Sequence, residues 1–203
     1  MPPITKILLT ANVAIYIAQQ FTGDTLILWF GLWPLTSTAD TMPGLSSGFL
    51  PWQVVTYSFL HGNELHILVN MLGLFMFGSE VERVLGQNRY ATYYLVSVLT
   101  AALAQIVMST LSPGPPYPTI GASGGVFGLL LAYGMFFPRR MVMLIFPPIP
   151  MPARVFVVVY AAIELYLGVT GTQAGVAHFA HLGGMLGGYI MLRLWRRRQF
   201  DGR

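Results

Sequence analysis

Six apolar stretches, each near the length that crosses a bilayer, limit what this chain can fold into. They run approximately over residues 4–20, 66–84, 90–111, 121–137, 153–170 and 177–195. A spanning helix needs roughly 17–25 mostly apolar residues to traverse a hydrocarbon core about 30 Å thick. Inside that core the backbone amides and carbonyls have no water to bond, so such a stretch must close its own hydrogen bonds as a helix. The expected fold is therefore all-α, a polytopic six-transmembrane-helix bundle that forms one domain over residues 1–203. Proline-rich breaks support the division: Pro113–Pro118 follows the third stretch and Pro147–Pro152 precedes the fifth. Proline has no amide to donate and clashes with the preceding turn, so it does not continue a helix. With 55% hydrophobic and 9% charged residues, the chain carries too little charge to clothe a soluble domain.

Residues 21–60 join the first two stretches. They contain two apolar pieces, Leu26–Leu35 and Phe49–Leu60, that are too short to span. Trp29, Trp33 and Trp52 lie in or beside them, and tryptophan favours the membrane–water interface. The reading is an ordered, membrane-associated first loop lying partly in the outer leaflet. The competing reading is one further, poorly formed span.

Charge sets the orientation. The basic residues are Lys6, Arg83, Arg89, Arg139, Arg140, Arg154, Arg193, Arg196, Arg197, Arg198 and Arg203. All fall at the N-terminus, between the second and third stretches, between the fourth and fifth, or at the C-terminus. With six spans these regions share one side, and the positive-inside rule makes that side cytoplasmic, both termini included. The same distribution accounts for an isoelectric point near 9.6 without any nucleic-acid partner. The run Arg193–Arg203 reads as an anchor to lipid headgroups. The first stretch, with Lys6 ahead of a long apolar run, reads as a retained span rather than a cleaved signal. The chain has no cysteine, which excludes disulfides and thiolate metal sites.

Polar groups inside hydrocarbon are costly and tend to mark function. The four histidines, His61, His66, His178 and His181, sit at starts of stretches or inside them, all toward the non-cytoplasmic half. His66 and Asn70, four apart, share a helix face, and His178 and His181, three apart, are neighbours. Gly121 to Gly128 opens the fourth stretch around Ser123. Serine there suits a helix N-cap, and the glycines suit close helix packing. A nucleophile needs the same setting: small neighbours that leave the hydroxyl reachable, and free amides at a helix N-terminus to stabilise an oxyanion. Ser123, His66 and His181 share a depth by topology. A serine hydroxyl needs an adjacent base, and histidine suits that role near neutral pH. No Asp or Glu lies in the stretch around His181, so the expected pair lacks the carboxylate that orients histidine in a triad. Gly183, Gly184, Gly187 and Gly188 offer small-xxx-small pairs for a close approach to Gly121, Gly124, Gly125 and Gly128. Gly184 and Gly188 are the candidates for the close face toward the fourth helix, and helical geometry permits Gly187, on a face about 100° from Gly188, to turn toward lipid.

These residues resemble the rhomboid family of intramembrane serine proteases over nearly the whole chain after the first helix. His61-Gly-Asn-Glu-Leu-His-Ile-Leu-Val-Asn70 is similar to its helix-two motif, Gly121-Ala-Ser-Gly124 to its nucleophile motif, and Ala180-His-Leu-Gly-Gly184 to its helix-six motif. Glu82 to Gly86, with Gly78 before it, resembles the stretch ending helix two. The resemblance implies a minimal six-helix core with Ser123 as nucleophile, His181 as base, and an oxyanion site made by His66, Asn70 and the Ser123 amide. It implies no cofactor and no metal. The partners it implies are the lipid bilayer and membrane-anchored protein substrates, cut within or near their transmembrane segments by a site open to the non-cytoplasmic side of the cell membrane. Gly171–Val176 is the expected mobile cap, and His178 the expected lining of the cavity mouth. Two features depart from the family: Leu32-Trp33-Pro34 lacks the arginine of its Trp-Arg pair, and Phe127 stands where some members place a Tyr under the histidine ring. Two other readings compete: a catalytically silent rhomboid-like protein that captures transmembrane helices, and a membrane protein binding metal through its four histidines.

Overall fold

A computed structural model describes residues 1–35, 48–111, 117–143, 148–171 and 177–201, the last few by backbone alone. The helices are α1 (Pro3–Thr22), α2 (Thr25–Phe30), α3 (Gln53–Thr56), α4 (Glu64–Gly73), α5 (Ser79–Leu85), α6 (Gln87–Leu111), α7 (Ser123–Phe136), α8 (Ala153–Thr170) and α9 (His178–Asp201). A π-helical segment, Leu74–Gly78, joins α4 to α5, and the three run on as one helix over Glu64–Leu85. That helix, α6 and α8 are long and apolar enough to cross a membrane. At 14 residues, α7 is about 21 Å long and does not reach across by itself. Each expected stretch coincides with helix, and the bounds differ by a few residues. In the first loop, both short apolar pieces contain short helices, α2 and α3, and neither forms a further span.

Helices α6, α7 and α9 pack into the centre of the bundle, and α8 rests on α7 and α9. The exterior is apolar, with Leu65, Leu68, Phe75, Val158, Tyr166 and Val169 exposed, as suits side chains facing lipid rather than water.

Glycine makes the centre possible. A Cβ added at Gly184 would fall 2.0 Å from the carbonyl oxygen of Gly124, so α7 and α9 meet backbone to backbone. The other glycines of α9 face differently from expectation. A Cβ at Gly188 would meet the hydroxyl of Tyr93, and one at Gly187 would meet Thr100 Oγ1. Both therefore have α6 as their nearest neighbour, and Gly187 does not turn to lipid.

Polar anchors tie the periphery to this core. The carboxylate of Glu82 accepts from the Ile4 amide at 2.9 Å, and from the Thr5 amide and hydroxyl at 2.7 Å each. A side chain of α5 thus satisfies amides that the first turn of α1 leaves unpaired. Gln19 Nε2 donates to the His61 carbonyl and Gln19 Oε1 accepts from the His61 amide, both at 3.1 Å, fixing the other end of α1. Trp33 is buried and donates from Nε1 to the Leu28 carbonyl at 2.9 Å, so it anchors the first loop inward although the neighbouring arginine is missing. Leu32 and Thr119 exchange two backbone bonds of 2.9 Å, docking that loop beside the entry to α7. The proline-rich break before α8 pairs partly as a ribbon, β1 (Met141–Met143) against β2 (Pro150–Pro152).

Candidate active site

The entry to α7 shapes the site. Gly121 has φ +126°, a conformation that L side chains rarely adopt. Its amide donates to the Tyr57 carbonyl at 2.9 Å. Ala122 then holds the N-cap position and Ser123 is the first helical residue. The N-cap reading of Ser123 is thereby corrected: its hydroxyl caps no amide but lies 2.8 Å from Nε2 of His181.

His181 sits in the first turns of α9, where the glycine contact brings it to α7. Its ring lies flat against Phe127, with centroids 4.3 Å apart and 3° between planes. Its Nδ1 is 2.9 Å from Oε2 of Glu164, and Nδ1 of His178 is 2.7 Å from the same oxygen. Glu164, His178 and His181 are all buried. The expectation that the serine–histidine pair lacks a carboxylate is therefore overturned. The acid comes from the preceding helix, α8. His178 likewise departs from its expected place at a cavity mouth; it is buried and bonded to Glu164. Glu164 had a sequence signal, since a lone carboxylate amid an apolar span is a functional candidate by default.

His66 reaches the same place from α4. Its amide is capped by Asn63 Oδ1 at 2.8 Å, and its Nδ1 accepts from the Gly62 amide at 3.3 Å. An Nδ1 that accepts leaves the proton of the neutral ring on Nε2. The point where a side chain at Gly121 would begin lies 2.7 Å from His66 Nε2 and 3.6 Å from Ser123 Oγ. Absence of a side chain at Gly121 thus leaves room for an atom between a hydroxyl and an N–H donor. Asn70 is buried, and its Nδ2 donates to the His66 carbonyl at 2.9 Å. The structure thus joins Ser123 directly to His181 and brings His66 beside them, while Asn70 is bonded to His66. His61 packs edge-on to His66 with centroids 5.0 Å apart. Burial, together with His66, pushes its pKa down to about 4, so His61 is a neutral ring at neutral pH. Of the expected cap, residues 172–176 lie outside the described residues.

Among the described residues, Glu164, His178 and His181 are the group whose ligand atoms, within 4.8 Å of one another, could hold a metal ion. Only two of the four histidines take part, and His61 with His66 forms a separate pair.

The sequence profile of the Rhomboid domain matches residues 49–198. RHOMBOID-like protein 4 of Arabidopsis thaliana is 29% identical over 94% of this chain and 52% of its own length. Rhomboid protease GluP of Bacillus subtilis is 30% identical over 68% of this chain and 25% of its own. Rhomboid protease GlpG of Yersinia pestis is 28% identical over 93% and 61% respectively. The chain spans about a quarter to three fifths of the length of these relatives. The family profile, covering most of the chain, joins the motif order and the helical architecture in one conclusion: this polytopic helical membrane protein belongs to the rhomboid family.

Proposed function

We propose that the chain is an intramembrane serine endopeptidase, cutting membrane-anchored proteins within or near their transmembrane segments. The observation that carries this reading is the 2.8 Å contact between Ser123 Oγ and His181 Nε2, made at a helix N-terminus between two helices held together by glycine. The names of the relatives GluP and GlpG, both rhomboid proteases, support it.

In the proposed reaction, Ser123 Oγ bonds to the substrate's carbonyl carbon as its proton passes to His181 Nε2. The oxyanion is met by the Ser123 amide, by Nε2–H of His66, and by Asn70. Asn70 has a second N–H beyond the one given to His66, and its buried position holds the His66 backbone in place. Collapse of the intermediate breaks the C–N bond, and the His181 proton goes to the leaving amine. Water then attacks the ester, gives a proton to His181, and the acyl product leaves as a carboxylic acid while Ser123 regains its proton. Protein groups and water suffice for each step. A helical peptide bond is hydrogen-bonded and shielded, so segments that unwind readily are the favoured substrates. In this reading the chain crosses the cell membrane six times, with both termini cytoplasmic and the site toward the non-cytoplasmic face.

Cleavage of a transmembrane reporter in detergent or liposomes tests the reading. Ser123→Ala and His181→Ala should each abolish cleavage while leaving the protein folded. The double variant should be no worse than either single one, because members of a catalytic unit do not add. Activity well above background in either single variant overturns the assignment. It would leave the helix-capturing, silent reading as the alternative, against which the intact Ser123–His181 bond stands.

A further inference from the structure

We infer that Glu164 is a positioning residue that completes a Ser123–His181–Glu164 relay, with His178 as a second donor holding the carboxylate in place. This rests on the protease reading above and adds a member to it.

One oxygen, Glu164 Oε2, lies 2.9 Å from Nδ1 of His181 and 2.7 Å from Nδ1 of His178. An ionised carboxylate only accepts, so each Nδ1 must supply its own hydrogen. A neutral His181 with its proton on Nδ1 has its lone pair on Nε2, 2.8 Å from the Ser123 hydroxyl. That tautomer is the one able to take the serine proton. The opposite tautomer would point an N–H at Ser123 and could not act as base.

Among the described residues, no other group bonded to the His181 ring selects between the two. The flat stack on Phe127 fixes the plane of the ring, but a hydrocarbon face does not distinguish one nitrogen from the other. Phenylalanine there also has no hydroxyl to offer. When the serine proton arrives, the imidazolium carries its charge beside the Glu164 carboxylate, in a buried setting where a fixed counter-charge acts strongly. Glu164 itself takes no proton in this sequence; it orients His181 and balances its charge.

His178 explains how a single carboxylate can be held so firmly. It stands one turn before His181 on α9 and donates to the same oxygen. Its own position is fixed where Gly168 of α8 passes close by: a Cβ there would come within 3.2 Å of the His178 Cβ. The same three side chains have metal-ligand spacing. Here both Nδ1 atoms are already bonded to Glu164 Oε2, although Nε2 of His178 is buried without a partner among the described residues. A cation on Nδ1 of a neutral His181 would also leave the ring proton on Nε2, the wrong side for Ser123.

The simpler role for Glu164 would be to fasten α8 to α9. The test must separate that from tautomer control. Glu164→Gln keeps the shape and a hydrogen-bonding amide, so fastening survives, but its NH₂ can donate to Nδ1 and favour the unwanted tautomer. The expected result is a loss of about 10²–10⁴ in kcat, with KM within about twofold of the parent and an unchanged melting temperature. The acid limb of kcat/KM should move to lower pH, because an imidazolium without its counter-charge forms less readily. Glu82→Gln, which removes another buried carboxylate, the one on α5 that caps the first turn of α1, should leave kcat and the acid limb alone. A Glu164→Gln enzyme within tenfold of the parent, or one whose acid limb does not move, overturns the proposal. Loss of activity on chelation overturns it too, since the cluster would then be a metal centre. If Glu164→Gln fails to fold, ¹⁵N NMR of the parent protein decides directly: His181 should carry its proton on Nδ1, and a resting Nε2–H tautomer overturns the relay. Ser123→Ala and His181→Ala in the same assay keep the two readings apart. If those variants stay active the protease reading has failed; if they are dead and Glu164→Gln is not, only the relay has failed.

Discussion

Two of the helices that approach α9 near His181, α7 and α8, do so in opposite ways. Between α7 and α9 the backbones touch, with Gly184 over Gly124 so close that no side chain fits at Gly184. Between α8 and α9 the contact is made by side chains: Glu164 to His178 and His181, and Gly168 beneath His178 and Phe179. The outer face of α8 carries exposed Val158, Tyr166 and Val169. A backbone contact fixes distance with no rotamer freedom. A side-chain contact can part and reform as its helix shifts. In the proposed mechanism the site divides its tasks between them: Ser123 and His181 are held by the rigid contact, and Glu164, the proposed positioning group, is supplied across the adjustable one.

The largest expected effect comes from breaking the rigid contact. Gly184→Val must force α7 away from α9, since its Cβ alone would lie 2.0 Å from the Gly124 oxygen. Overpacking typically costs about 1–3 kcal/mol, and a shift of about 1 Å in a reacting group can cost on the order of 10²-fold in rate. Reporter cleavage and thermal unfolding, measured on one preparation, should therefore fall together. A fully active Gly184→Val enzyme with an unchanged melt would show that Ser123 and His181 meet by another route.

A donor outside both contacts should give an intermediate effect. His66 comes from α4 and makes neither interface, so His66→Ala should lower kcat by ~10²–10³ while stability changes little. Asn70→Ala should do the same, less if water replaces its N–H. A KM effect with kcat intact would move both residues from the oxyanion to substrate binding.

The smallest effect should come from the adjustable contact. A Cβ at Gly168 would meet ring atoms of Phe179 at 3.0 Å and the His178 Cβ at 3.2 Å. The ring can give way by a few tenths of an ångström, whereas backbone cannot. Gly168→Ala should accordingly keep activity within about threefold, against the collapse expected at Gly184. Equal losses at the two glycines would erase the distinction between the contacts.

Much of this was legible in the chain because a bilayer leaves few options. The stretch over 153–170 matches α8 residue for residue, since length, apolarity and a preceding proline all mark the same element. Ser123 and His181 could be paired because topology put both at one depth. The rotation of α9 could not be read. Glycines at 184, 187 and 188 are alike in sequence, and only three-dimensional packing decides that the first meets α7 and the other two meet α6. Glu164 escaped for a related reason. A search for an acid near His181 in sequence stays on its own helix, and the acid lies 17 residues earlier, on a helix whose facing is set by packing. The pairing of Met141–Met143 with Pro150–Pro152 was also hidden, because proline-rich segments announce a break and not a ribbon partner.

In the proposed mechanism His181 activates Ser123, and labelling with a fluorophosphonate reads that activation without any substrate. The reagent bonds to an activated serine oxygen and displaces fluoride, so the adduct can be mapped by mass spectrometry. In the folded parent protein the label should fall on Ser123 alone. In His181→Ala of equal melting temperature, labelling should drop to the level of Ser123→Ala. An adduct on another serine, or undiminished labelling of Ser123 without His181, would contradict the account.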